Sequence, residues 1–224
     1  MFHTQILTLF PEFFTSPLQC SIPKRAIADA KVSVDCIQIR DFANNKHQKV
    51  DDAPYGGGPG MLMQVAPVVA AIREARQRQP NTHVVMLTPS GTLFNQQKAL
   101  EYIEKDSITL LCGRYEGFDE RIVDYVDEQL SLGEYVLSGG EPAAMCVLDA
   151  MIRLLPDVLG SPESAVLDSF TEQGLLDWPH YTRPEVFEGQ TVPAVLLSGN
   201  HAKIEAWRKE QALLRSKQRK KRDL

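Results

Sequence analysis

His83-Val84-Val85-Met86-Leu87 and Ser107-Ile108-Thr109-Leu110-Leu111 are the two segments whose reading decides the fold. Each is a short run of β-branched and other apolar residues, the composition of a strand covered on both faces. Between them stand Thr88-Pro89-Ser90-Gly91, a turn signal, and Asn95, a capping residue for a helix that reaches Tyr102. Strand, turn, helix and strand make a crossover unit, and crossovers of this length join parallel strands. Runs of the same kind at Gln5 to Phe10 and Val34 to Ile39 extend the pattern. A further helix is predicted at Pro67 to Gln77, with Pro at its start and Val68, Val69, Ala71 and Ile72 as apolar positions. A longer one begins near Glu141 and aligns Met145, Leu148, Ile152 and Leu155 before Pro156 stops it. The expectation is an α/β protein with a mostly parallel sheet covered by helices.

After Pro156 the periodicity ends. Gly160, Ser161, Pro162, Glu163 and Ser164 read as a linker, and a domain boundary is placed there. Beyond it come a Pro-rich stretch from Trp178 to Pro193 and a terminal helix from about His201. On that helix Ile204, Trp207 and Leu214 share a face, while Arg208, Arg215, Arg219 and Arg222 lie on others. A segment this short is marginal as an independent core and is expected to dock on something else.

The 224 residues, 43% apolar and 24% charged, describe a globular protein rather than a disordered one. The formal net charge of -5 conceals an asymmetry, because Lys203 to Leu224 carries +6 and the remainder -11. A basic end can supply phosphate contacts that an acidic body would repel. Neither a basic start leading into a long apolar stretch nor an uninterrupted apolar window of about eighteen residues occurs, so no signal peptide or membrane span is expected, and the cytoplasm is the expected location. Cys20, Cys36, Cys112 and Cys146 are too scattered for a zinc site or a disulfide framework and are expected to be four buried thiols.

Gly56-Gly57-Gly58-Pro59-Gly60 is the densest glycine cluster and lets backbone approach a ligand. It is not a dinucleotide fingerprint, which would need Gly at Met61, nor a phosphate loop, since no Lys-Ser or Lys-Thr follows. Thr88 to Gly91, Gly113-Arg114-Tyr115-Glu116-Gly117 and Ser138-Gly139-Gly140-Glu141 are three more loops, the first two directly after predicted strands and the third before the long helix. Ligands of open α/β sheets bind where such loops converge, outside the carboxyl ends of the strands. Glu116 and Glu141 are expected to make this pocket acidic and to favour a cationic ligand.

Val50-Asp51-Asp52-Ala53-Pro54-Tyr55-Gly56-Gly57-Gly58-Pro59-Gly60-Met61, Leu111-Cys112-Gly113-Arg114-Tyr115-Glu116-Gly117-Phe118-Asp119-Glu120-Arg121, Gly133-Glu134-Tyr135-Val136-Leu137-Ser138-Gly139-Gly140-Glu141 and Pro179-His180-Tyr181-Thr182-Arg183-Pro184 closely resemble the bacterial tRNA (guanine-N1)-methyltransferase family, in the same order and over nearly the whole chain. The resemblance implies a knotted α/β (SPOUT-class) domain with a deep trefoil knot over 1–159, a flexible linker or lid over 160–169, and a small, mainly helical tRNA-binding domain over 170–224. It further implies a homodimer with active sites at the subunit interface. The implied reaction transfers a methyl group from S-adenosyl-L-methionine to N1 of guanosine 37 of tRNA, immediately 3′ of the anticodon. Sequence periodicity alone predicts an open sheet, because knots are too rare to be read from patterns.

By position, the resemblance assigns the cofactor to Leu87, Thr88, Pro89, Ser90 and Gly91, to Gly113, Tyr115 and Glu116, and to Gly133, Glu134, Tyr135, Val136, Leu137, Gly139 and Gly140. Tyr115, Tyr135 and Leu137 would pack on adenine or else lie in the core, Glu116 would face the ligand's cationic groups, and Pro54 to Gly60 would form another wall. Guanine N1 carries a proton at neutral pH, so a general base is required. The resemblance places Asp168 in that role and Arg153 opposite the negative charge that develops on O6. An ordinary aspartate pKa of about 3.9 makes a weak base, so enclosure of the carboxylate and a cation at O6 must narrow the gap. Mg²⁺ is an implied assistant, with Glu116 the nearby acid, although no ligand cluster in the sequence argues for a metal. Lys46, Lys49, Arg183, Arg208 and the basic terminus are the expected phosphate contacts. Pro142, Asp157 and Trp178 depart from the family's usual residues, and the first two flank the helix that carries Arg153. A non-catalytic RNA-binding protein and a methyltransferase of the same class acting elsewhere are the competing readings.

Overall fold

A computed structural model describes residues 1–160, 168–170 and 174–220. The chain divides into two compact units, Met1–Gly160 and Ser161–Leu224.

In the first unit the strands are β1 (Phe2–Thr8), β2 (Val32–Gln38), β3 (Asp51–Asp52), β4 (Leu62–Met63), β5 (Thr82–Leu93), β6 (Ser107–Cys112) and β7 (Glu128–Ser131). The α-helices are α1 (Thr15–Leu18), α2 (Ser21–Ala28), α3 (Val65–Arg78), α4 (Gln96–Ile103) and α5 (Glu141–Ile152). Five strands form one sheet in the order β2-β1-β6-β5-β7, every pair parallel. The α/β expectation therefore holds, with a fifth strand, β7, that the sequence reading lacked. Its four residues, Glu128-Gln129-Leu130-Ser131, have no β-branched member, so only pairing with β5 makes them a strand.

β6 is central, and all six of its residues are buried. Its side chains alternate between two cores, as the period of two demands. Ile108, Leu110 and Cys112 join Ile6, Val85 and Leu87 beneath α5, which buries Ala144, Val147, Leu148, Met151 and Ile152. Leu111 joins Leu7, Val84 and Met86 beneath α3, which buries Val68, Val69, Ala71, Ile72 and Ala75. The polar member Thr109 is satisfied on that second side: its hydroxyl lies 2.8 Å from Thr82 Oγ1 and accepts from Gln5 Nε2, which also donates to Ala75 O. Asn95 caps α4, its side chain accepting from Lys98 N at 2.9 Å.

The thiols do not form the buried set expected. Cys112 is buried and Cys36 half-buried, whereas Cys20, just before α2, and Cys146, on the outer face of α5, are exposed. Amphipathic helices have an outer face, and a small residue is tolerated there.

In the second unit, a hairpin pairs Val186–Phe187 with Gln190–Thr191, and a short helix, Ala194–Leu197, precedes the terminal helix His201–Lys220. That helix begins where the sequence placed it, but its covered stripe differs. Ile204, Arg208, Ala212 and Ser216 follow spacings of four, and Leu214 is exposed. Ser216 Oγ receives the N–H of Leu176 at 2.8 Å and donates to Ala212 O, which ties a polar position inward. Arg208 stacks on Trp178, 4.8 Å from the ring centre, and Arg219 on Phe170 at 4.7 Å.

Candidate functional site

The carboxyl ends of β5, β6 and β7 converge on a cavity of about 380 Å³, within the usual range for small-molecule sites. Three walls define it. The first is Leu87 to Ser90. β5 continues to Leu93, but Leu87 and Thr92 both pair with Leu130, so the four intervening residues are extruded from the ladder. Gly91 returns the strand to register against the backbone of Gln129 and Leu130, where a Cβ would have no room.

The second wall is Gly113 to Glu120, directly after β6. It is held by backbone bonds to the segment leading into β4: Glu116 N donates to Met61 O and Met63 N to Gly117 O, each at 2.9 Å. The glycine-rich loop, whose four glycines all have positive φ, thereby ends beside Glu116, although none of its residues lines the cavity. Tyr115 has φ of +60°, a conformation that costs a non-glycine residue on the order of 1–3 kcal/mol and that collects at ligand sites. Asp119 accepts both a backbone and side-chain bonds from Arg121, and those bonds hold its carboxyl below the ordinary range.

The third wall is Gln129 to Gly133 together with Tyr135, Val136, Leu137, Gly139 and Gly140. Tyr115 (46% exposed), Tyr135 (55%) and Leu137 (41%) are not core residues, so the core alternative for these three is excluded. Flat and apolar side chains that remain open to solvent in a concavity are surfaces for a flat ligand.

Of the expected cofactor residues, Leu87, Thr88, Pro89, Ser90, Gly113, Tyr115, Glu116, Gly133, Tyr135, Val136, Leu137, Gly139 and Gly140 line this one cavity, and Gly91 and Glu134 do not. Arg114, within the expected Gly113 to Gly117 loop, lines it too, and Met86, Phe118, Asp119, Glu120, Val123 and Gln129 to Leu132 line it from outside the expected loops. No local signal pointed to the part contributed by β7, whose four residues include none that is β-branched. Glu141 is a correction. It does not acidify the cavity but is fully buried, accepting from Thr8 Oγ1 at 2.7 Å, with Arg114 Nη2 2.9 Å from its other oxygen. A buried carboxylate requires such a counter-ion. The acids that do face the cavity are Glu116, Asp119 and Glu120.

Arg153 forms the C-cap of α5, half-buried, at the end of the first unit, and Asp168 is half-buried in the second. Neither lines the cavity. Most of the expected lid, residues 161–167, and the basic residues Lys221 and Arg222 lie outside the described residues. No group of three His, Cys, Asp or Glu placed to hold a metal occurs among the described residues, and no described helix is long and apolar enough to cross a membrane.

A parallel α/β sheet with a glycine-bordered, tyrosine-lined cavity at its strand ends defines a class: α/β proteins with a small-molecule-sized cavity at the carboxyl ends of the strands. The chain belongs, more particularly, to the family described as tRNA (Guanine-1)-methyltransferase TrmD, which it matches over residues 2–224. It is 52% identical to a tRNA (guanine-N(1)-)-methyltransferase of Francisella philomiragia over 96% of this chain and 86% of the relative. Proteins of the same name from Syntrophotalea carbinolica (50% identical, 94% of this chain and 85% of the relative) and Geobacter metallireducens (49%, 93% and 85%) are similarly close.

Proposed function

We propose that this protein methylates N1 of guanosine 37 in tRNA with S-adenosyl-L-methionine as donor. The observation that carries the reading is a cavity at the ends of β5, β6 and β7, lined by thirteen of the fifteen residues expected to hold the donor, in a chain of this family. Tyr115, Tyr135 and Leu137 receive the adenine, and Glu116, beside the end of the glycine-rich loop, faces the ammonium and sulfonium charges. The bound donor supplies an electrophilic methyl group.

In this reading Asp168 takes the N1 proton while the N1 electron pair forms the bond to the methyl carbon. The carbon–sulfur pair stays on sulfur, which becomes a neutral thioether. Arg153 opposes the charge that builds on O6. Residues 160–169 act as a lid that joins these two side chains over the donor, in a homodimer whose partner completes each site. Residues 1–159 form the knotted donor-binding domain, and 170–224 hold the tRNA through Arg183, Arg208 and the basic helix. The cytoplasm, where tRNA is found, is the proposed location. Mg²⁺ does not fit a preformed cage, since Glu116 has no second and third ligand among the described residues, and no step is routed through it.

The test is incubation of unmodified tRNA with methyl-labelled donor, followed by nucleoside analysis. The expected product is 1-methylguanosine at position 37. Label at another atom would place the protein on a different substrate, and tRNA binding with no transfer would make the cavity a relic.

A further inference from the structure

We propose that Arg114 is a positioning residue for this cavity, setting the Ser138–Gly140 wall through its ion pair with Glu141. The proposal rests on the reading of the cavity as the S-adenosyl-L-methionine site.

Glu141 has no solvent exposure, yet it opens α5 as a residue that is ordinarily charged. A chain of contacts surrounds it. Phe10 N donates to Thr8 Oγ1 at 2.9 Å, Thr8 Oγ1 donates to Glu141 Oε1 at 2.7 Å, and Arg114 Nη2 stands 2.9 Å from Glu141 Oε2. The helix N-terminus favours the same negative charge. Thr8 is the last residue of β1 and Phe10 follows it two residues later, so the carboxylate joins the end of that strand to the first turn of α5.

Arg114 adds the cavity to this junction. Its guanidinium lies over Phe10, 4.5 Å from the ring centre, and Nη1 donates to Ser138 O at 3.2 Å. Gly139 lies against the same group: a Cβ there would stand 2.7 Å from Arg114 Cδ and closer still to Nε and Cζ. The backbone of Arg114 belongs to the opposite wall, between Gly113 and Tyr115. One side chain therefore spans two walls, and the length of the Arg114–Glu141 pair sets their separation. Lysine, a point charge without a fork, cannot reach Glu141 and Ser138 O together in this geometry. Nη1 is hydrogen-bonded to Ser138 O and Nη2 is ion-paired with Glu141 Oε2, so the guanidinium is held by the protein on both sides, as suits a group that shapes a site rather than reacts in it.

The experiment uses the full chain with Arg114→Met, Glu141→Gln and the double variant. Binding of S-adenosyl-L-homocysteine and of 5′-methylthioadenosine, which lacks the amino-acid portion, is measured by calorimetry, alongside steady-state methylation. Each single variant is expected to weaken both ligands by about tenfold or more, and the double variant to be no weaker than the poorer single. KM for the donor rises while kcat at saturating donor and KM for tRNA stay within about twofold. Wild-type affinity in either single variant, losses that multiply in the double, a loss seen with the homocysteine product only, or a fall in kcat at saturating donor would each overturn the proposal. Should the charge variants fail to fold, Gly139→Ala keeps both charges and forces the wall off the guanidinium. It should weaken both ligands alike, and unchanged binding overturns the idea. Wild-type protein that binds neither ligand refutes the reading of the cavity instead.

Discussion

Gly91→Ala tests whether the extruded Thr88–Gly91 segment shapes the cavity. Leu87 and Thr92 share one partner, Leu130, and Gly91 is the residue that brings β5 back beside β7. An added Cβ would stand 2.6 Å from Gln129 O and nearer still to Leu130 N and Gln129 C. All three are backbone atoms, so no side-chain rotation makes room. Ordinary contact demands a separation of about 3.5 Å, and β5 must therefore retreat by about 1 Å at the point where the ladder resumes. Overpacking of this kind costs about 1–3 kcal/mol, which for a chain of this size is a fall in Tm of roughly 2–12 °C. The retreat carries Thr88, Pro89 and Ser90 with it, and a wall displaced by that distance should weaken S-adenosyl-L-homocysteine by about tenfold. Scanning calorimetry and titration calorimetry read the two effects. Gly160→Ala is the control for stability, because among the described residues nothing lies within 4 Å of its Cβ position and its φ is not positive, so a change within about 0.5 kcal/mol is expected. Wild-type Tm and affinity in Gly91→Ala would refute the argument.

Four further outcomes are expected. Burial opposes the charge on Glu128, but hydrogen bonds from His83 and Lys98 outweigh it and hold the carboxyl below its ordinary range. Its contribution is thus present above the unfolded value, about 4.3, and is lost as pH falls through the lower folded value. Glu128→Gln should cost about 1–2 kcal/mol in denaturant melts at pH 7 and progressively less toward pH 3, and a deficit independent of pH would contradict this. Asp168→Ala should abolish methyl transfer in a labelled-donor assay and leave donor affinity within about twofold, whereas near-normal turnover removes it as the base. Arg153→Ala should lower kcat more than tRNA affinity, and the reverse result, in filter binding and kinetics, makes it a binding residue. Cys20 should alkylate in the folded protein, while Cys112, whose thiol is pushed well up by burial, should react only after unfolding, which mass spectrometry of labelled peptides can decide.

The parallel sheet was legible because β5 and β6 are apolar enough to be strands in any surroundings, and because the turn and cap between them are local signals. Asn95 behaves as its side chain dictates, accepting from Lys98 N. α3 buries all four apolar positions that its spacing displays, whereas on α5 only Leu148 and Ile152 of the expected stripe are buried within the helix: it ends at Ile152, short of Leu155, and Met145 is half-buried while Ala144, Val147 and Met151 fill the inner face. β7 was not legible, since Glu128-Gln129-Leu130-Ser131 acquires its extended form from a neighbour distant in sequence.

The site divides along the same line. Glycine-rich loops after strands announce a cavity, and the loops after β6 and before α5 do line one. Two misreadings concern environment: Glu141 and the cysteines were judged by residue type, but exposure is conferred by packing. Glu141 turns inward because Thr8 and Arg114 wait there, one from β1 and one from the loop after β6. Cys146 turns outward because α5 spends its inner face on Ala144, Val147 and Leu148.

By itself, then, the order of residues determined the four apolar strands β1, β2, β5 and β6, the helices α3, α4, α5 and the terminal helix, and which loops are rich enough in glycine to approach a ligand, for these follow from periods of two and three to four along the chain. Only the tertiary structure decided that Thr88–Gly91 is squeezed out of a continuous strand, that Arg114 and not Glu141 faces the cavity, and that an unpromising tetrapeptide closes the sheet. Those outcomes depend on energies of contact between residues far apart in the chain, and such energies have no period to read.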